Sequence, residues 1–210
     1  NDTPFYKPDV YITVVDPLRP GHELRYFPGR TNFELADVLL INKMGQAKPE
    51  DVEVVKRNIA EHNPSATVLE ANSPIAMADE ESLRGKRVLV VEDGPTVTHG
   101  EMGYGAGFIA AQRAGAEIVD PRPFLDGEIA KAFEHYSHLE KVLPALGYGD
   151  AQVAELEATI NRVDCDVVII GTPIDLSRIV SIDRPHVRVT YSLEEITQPG
   201  LREILSDKIG

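Results

Sequence analysis

The feature that most limits how this chain can fold is a recurring run of consecutive apolar residues, the runs being separated by helical patterns. Val10–Asp16 (VYITVVD), Ala36–Asn42 (ADVLLIN), Arg87–Glu92 (RVLVVE), Ala116–Asp120 (AEIVD) and Asp166–Ile170 (DVVII) are such runs. A strand with one wet face alternates polar with apolar; an uninterrupted run belongs to a strand buried on both faces. Strands of that kind joined by helices predict parallel, doubly wound sheets, an α/β fold. Pro49 to Asn63 predicts one covering helix, with Pro49 in its first turn, Glu50, Asp51 and Glu53 near its start, and Val52, Val55 and Ile59 on one face. Further helices are predicted from Phe108 to Ala114, closed by Gly115, and over 127–146, 150–163 and 201–206, with another after Thr172-Pro173. Ala66–Leu69 reads as a short strand, and the alternating His186–Tyr191 as an edge strand.

The stretch from Ala71 to Lys86 is polar and irregular and predicts a domain junction. A chain of 210 residues fits one large or two small domains. Its 34 acids against 21 Lys and Arg give a formal charge of −13, which repels nucleic-acid phosphates and anionic lipid heads and argues against both as partners. Val88–Val91, among the longest apolar runs, is far short of the roughly 20 residues that a membrane span needs. The lone Cys165 leans toward a reducing, cytoplasmic setting and reads as structural. The chain opens on Asn1, without Met, and enters a strand by residue 10, which is the pattern expected of a piece of a longer polypeptide.

In open α/β sheets ligands bind beyond the carboxyl ends of the strands. The loop after the first strand, residues 16–30, holds Arg19, His22, Arg25 and Arg30 against only Asp16 and Glu23, a local positive charge in an acidic chain. Guanidinium groups there suit phosphate or carboxylate, although the same arginines can pair with nearby acids. The loop after Glu92 contains Thr98, His99, Gly100, Gly103 and Gly105. Such glycines let backbone N–H groups cradle an anion, and His99 could move a proton; close helix packing would call for the same glycines. Asp16 is the strand-end acid best placed for Mg²⁺, with Glu92, Asp93 and Asp120 as lesser candidates. Arg122 follows the 116–120 strand. His135 and His138, three apart on a predicted helix, lack a third ligand of recognisable spacing. The sequence contains no G-x-x-x-x-G-K-[ST], G-x-S-x-G, H-E-x-x-H or C-x-x-C motif.

VVDPLRPGHELRYFPG (14–29), ADVLLINK (36–43), VEDGPTVTHGEMGYGAGFIAAQRAGAEIVDPRP (91–123) and GTPIDLSRIVSIDRPHVRVTY (171–191) resemble the cyclic 2,3-diphosphoglycerate synthetase family. The resemblance implies the second half of a P-loop NTPase-like domain at 1–80, its phosphate loop lying on a missing upstream segment, and a Rossmann-like domain at 86–210. It implies ATP and Mg²⁺ as cofactors and a small phosphorylated carboxylic acid as substrate, closed into a cyclic phosphoanhydride. Arg19, His22, Arg25, Arg30 and Arg122 would then hold substrate phosphates, and Thr98, His99, Gly100, Gly103 and Gly105 a second anion, with His99 catalytic. Asn42 and Lys43 are similar to the start of the guanine-reading N-K-x-D motif, but Gly45 replaces its Asp, which favours ATP. On this reading the 210 residues alone do not hydrolyse ATP, and the assembly state, including a homo-oligomer, is open. A nucleotide-driven ATPase or GTPase switch, a kinase-like transferase acting on another organic phosphate, and a non-catalytic ligand sensor are the alternatives.

Overall fold

The computed structural model describes residues 6–98, 102–146 and 149–209. Its strands are β1 (Ile12–Val15), β2 (Val38–Ile41), β3 (Thr67–Asn72), β4 (Ile75–Met77), β5 (Arg87–Asp93), β6 (Glu117–Ile118), β7 (Leu143–Ala145), β8 (Val167–Gly171), β9 (His186–Tyr191) and β10 (Glu194–Glu195). Its α-helices are α1 (His22–Arg25), α2 (Phe27–Leu35), α3 (Pro49–His62), α4 (Gly94–Val97), α5 (Ala106–Ala114), α6 (Gly127–His135), α7 (Asp150–Arg162) and α8 (Leu201–Ile209). The chain forms two compact units, residues 1–74 with 192–210, and residues 75–191. The fold class is α/β.

In the first unit the strand order is β1-β2-β3-β10, with β1, β2 and β3 parallel and β10 antiparallel to β3. Val15, Leu39 and Ile41 face Phe33 of α2 and Val55 and Ile59 of α3. Val38, Leu40 and Leu69 face Ile204 of α8 on the other side. Pro49 opens α3 and Val52, Val55 and Ile59 are its buried face, as the sequence predicts. Buried Asn63 ends α3 by donating to the Phe33 and Ala36 carbonyls, each at 2.9 Å, which ties α3 to the end of α2. The last nineteen residues, assigned by sequence to the second domain, belong to this unit. The Glu70 N–H donates to Thr197 Oγ1 at 2.9 Å, and β10 pairs with Asn72 and Ala71. Two more expectations fail here. Within the expected loop 16–30, residues 22–25 and 27–30 are helical; Pro28 sits in the first turn of α2, where its missing N–H costs nothing. β1 is not buried on both faces: it is an edge strand, with Val14 59 % exposed.

The second unit has the order β4-β9-β8-β5-β6, with β7 also paired to β5. β5 and β8 are central and parallel, and Val88 to Val91 are all 0 % exposed. Burying each such side chain is worth roughly 2 kcal/mol. Val88, Val90 and Ile169 face α5, while Leu89, Val91 and Ile170 share their core with Ile129 of α6 and Ile160 of α7, so both sheet faces are covered. Gly115 closes α5 with a left-handed φ of 70°, as predicted. The strand expected over 116–120 is reduced to Glu117–Ile118. The helix expected over 127–146 stops at His135, and Pro144, unfit for a helix interior, lies in β7 beside Glu92. β9 is not an edge strand, because β4 pairs with its outer side. No α-helix follows Thr172; its hydroxyl donates to the Ile174 carbonyl at 2.7 Å, and a short 3-10 turn, Leu176–Arg178, comes next.

Candidate functional site

At the carboxyl ends of β1 and β2 the first unit gathers Asp16, Arg19, Asn42 and Lys43. The Asp16 carboxylate accepts from Lys43 Nζ at 2.8 Å, Arg19 Nη2 at 3.1 Å and the Leu18 N–H at 3.1 Å. Burial alone would raise the Asp16 pKa. The Lys43 hydrogen bond and charge, with help from Arg19 and Leu18, outweigh it and hold the carboxyl below its ordinary value. Lys43 has φ 62°, a left-handed conformation that is uncommon outside glycine and clusters at functional sites. The next turn is fixed by Gly45, whose N–H donates to Asn72 Oδ1 at 2.8 Å across the end of β3. The Asn42 backbone N–H is bound to the Val15 carbonyl, yet its side-chain Oδ1 is buried with no hydrogen-bond partner among the described residues. A buried acceptor without a donor is costly, so this atom marks a place where a ligand donor would be stabilised.

The other predicted basic residues divide. His22 Nε2 lies 3.3 Å from Arg25 Nη1 on α1, and the His22 backbone N–H donates to the Arg19 carbonyl at 3.1 Å. Arg30, on α2, donates to Glu34 one turn later at 2.7 Å; it serves its own helix, not a common anion grip. Asp16, the acid expected to hold Mg²⁺, has its Oδ2 bonded to two cations, Lys43 and Arg19, so a metal ion there would have to displace one of them.

In the second unit the anion cradle predicted around Gly105 is filled from within. Glu92, 1 % exposed at the end of β5, accepts the Gly105 and Phe108 N–H groups at 3.1 and 2.8 Å, so the amino end of α5 already holds a carboxylate. Burial pushes the Glu92 carboxyl up to about 7, against the lowering effect of the Phe108, Gly107 and Gly105 N–H groups. The glycines here make room. A Cβ at Gly105 would sit 2.6 Å from Glu92 Oε2, and one at Gly171 would collide with the same oxygen. Gly103 packs likewise against the His138 carbonyl. The Thr98 hydroxyl donates to the Gly94 carbonyl at 2.8 Å within α4, whose start is capped by Asp93. His99 and Gly100 lie outside the described residues. Arg122 is paired with Asp120, Nε to Oδ1 at 2.8 Å. His138 Nε2 donates to the Val97 carbonyl at 2.7 Å and stands beyond the end of α6, so it forms no helical metal pair with His135. Cys165 is buried, in keeping with a structural role.

Sequence reasoning missed the Lys43–Asp16 ion pair, Asn72 as the anchor of the turn after β2, and the inward role of Glu92. The signal for Glu92 was its place directly after RVLVV, followed by glycines; a buried carboxylate and a ligand cradle demand the same pattern.

No protein-family model matches the chain. It is 57 % identical over 208 residues, 99 % of its length, to arginine synthetase ArcE from Thermococcus kodakarensis. The chain spans 46 % of that relative, about half its length. This finding corrects the resemblance drawn from the loops. A relative so similar across nearly all of the chain bears a different enzyme's name, so the chain is not read as part of a cyclic 2,3-diphosphoglycerate synthetase. Closure of a bisphosphoglycerate is set aside with it. No helix among the described residues is long and apolar enough to cross a membrane.

Proposed function

We propose that the chain forms part of an ATP-dependent ligase that makes arginine inside the cell. The observation that carries this reading is the 57 % identity to an arginine synthetase over 208 residues. The strand-end cluster of the first unit supplies the nucleotide side. Lys43 and Arg19 would hold phosphate oxygens, and the lone acceptor Asn42 Oδ1 would take a ligand N–H. ATP, when bound, converts an oxygen into a good leaving group; the residues here bind and orient it. Since Asp16 already pairs with both cations, full engagement of either with a phosphate requires Lys43 or Arg19 to exchange its carboxylate partner for a phosphate oxygen.

A chimera tests the proposal. The matched segment of the T. kodakarensis enzyme is replaced by this chain, and ATP-dependent arginine formation is followed by mass spectrometry. Activity within about tenfold of the parent enzyme is expected. A folded chimera that makes no arginine contradicts the reading.

A further inference from the structure

The two edges of the first unit's sheet are built differently. One edge is β10, two residues long and made of Glu194 and Glu195, both exposed. A short, charged edge resists pairing with another strand. The opposite edge is β1, Ile12-Thr13-Val14-Val15, β-branched throughout and without a charge. Among the described residues it pairs only with β2. The Tyr11 and Val15 carbonyls accept the Val38 and Asn42 N–H groups, so odd-numbered residues bond inward and the N–H and C=O of Ile12 and Val14 face away from β2. The side chains of the same two residues are uncovered. They share a sheet face with Val38 and Leu40, which are buried with Leu69, Ala71 and Ile204 of α8, Val10 and Leu201 packing alongside. Ile12 is left 36 % and Val14 59 % exposed. Parallel sheets are normally covered on both faces, and an uncharged open edge that nothing occupies invites aggregation.

We propose that β1 is an interior strand of a wider sheet, its open edge taking a further strand and its bare face a further helix. The occupant is the polypeptide that the T. kodakarensis relative carries beyond the 46 % of its length matched here. More than half of that relative has no counterpart in the chain, ample for a strand and its crossover of a dozen or more residues. The inference shares with the functional reading only this relationship and needs no catalysis.

Amide hydrogen exchange at Ile12 and Val14 tests it, in the 210-residue chain and in the chimera described above. Exchange at both positions is expected to be at least a hundredfold slower in the chimera. Equal exchange in the two proteins overturns the proposal, whether or not the chimera makes arginine. Val14→Lys is expected to leave the thermal midpoint of the 210-residue chain unchanged and to lower that of the chimera; equal midpoints for chimera and variant chimera overturn it. Sedimentation of the 210-residue chain covers the other occupant. A dimer abolished by Val14→Lys would assign the edge to a second copy and overturn the proposal, whereas a monomer supports it.

Discussion

The carboxyl ends of β1 and β5 invite the same reading, yet they solve opposite problems. Each strand runs into an acid, Asp16 in the first unit and Glu92 in the second. Asp16 is partly exposed and held by two flexible cations, next to a buried acceptor that has no donor. Glu92 is sealed in, its carboxylate spent on the N–H groups of α5. A strand end is therefore a candidate site only while its donors and acceptors remain available to something else. By that criterion the first unit qualifies and the glycine-rich segment around Gly105 does not.

Several substitutions would break or sharpen this contrast. The largest effect is expected from Gly171→Ala, because its Cβ would meet both the Glu92 carboxylate and, at 2.9 Å, the Gly107 nitrogen. A loss of about 3 kcal/mol or more is expected in denaturant unfolding, with part of it recovered when Glu92→Ala is added. Full additivity of the two changes would show that Glu92 is not what fills the cradle.

Next is the pH dependence. Glu92 has a folded pKa raised to about 7 from an ordinary 4.5, so the folded state keeps a proton that the unfolded chain gives up. Its contribution is fully present below pH 4.5 and is lost as pH rises to about 7, by as much as about 3 kcal/mol. Asp16 has the opposite sign: its pKa lies below the ordinary 3.8, so its stabilisation is present above that value and disappears as acid is added. Glu92→Gln should flatten the stability profile between pH 5 and 7 and leave the acid limb intact. An unchanged slope in the variant would mean that Glu92 is not the group responsible.

A smaller effect, about tenfold or 1.4 kcal/mol in ATP affinity, is expected for Lys43→Ala by titration calorimetry. Smallest of all is Arg122→Ala. An exposed ion pair with Asp120 is worth little, so stability should move by less than about 0.5 kcal/mol and ATP affinity not at all. A tenfold loss of affinity there would return Arg122 to the ligand.

The fold was legible where burial acts alone. RVLVV and DVVII became the paired central strands because no polar position lets either face meet water. Pro49 and Gly115 bounded their helices because a first turn leaves proline's missing N–H unneeded and because glycine, without a Cβ, takes the left-handed φ of 70° that ends α5. Legibility failed where tertiary partners decide. Whether β1 is central or an edge depends on what lies beside it, and VYITVV carries no trace of that. Similarly, His186–Tyr191 alternates like an edge strand although β4 pairs with it. At the site, position after a strand pointed to Asp16, and the likeness to N-K-x-D pointed to Asn42 and Lys43, but composition alone could not show that Arg30 belongs to Glu34 or that the cradle at Gly105 is already full.

The most direct test is residue-resolved NMR of the chain titrated with ATP. Shift changes should centre on Asp16, Arg19, Asn42 and Lys43, with Gly105 to Phe108 unmoved. Changes centred on Gly105 to Phe108, with the ends of β1 and β2 silent, would contradict the account.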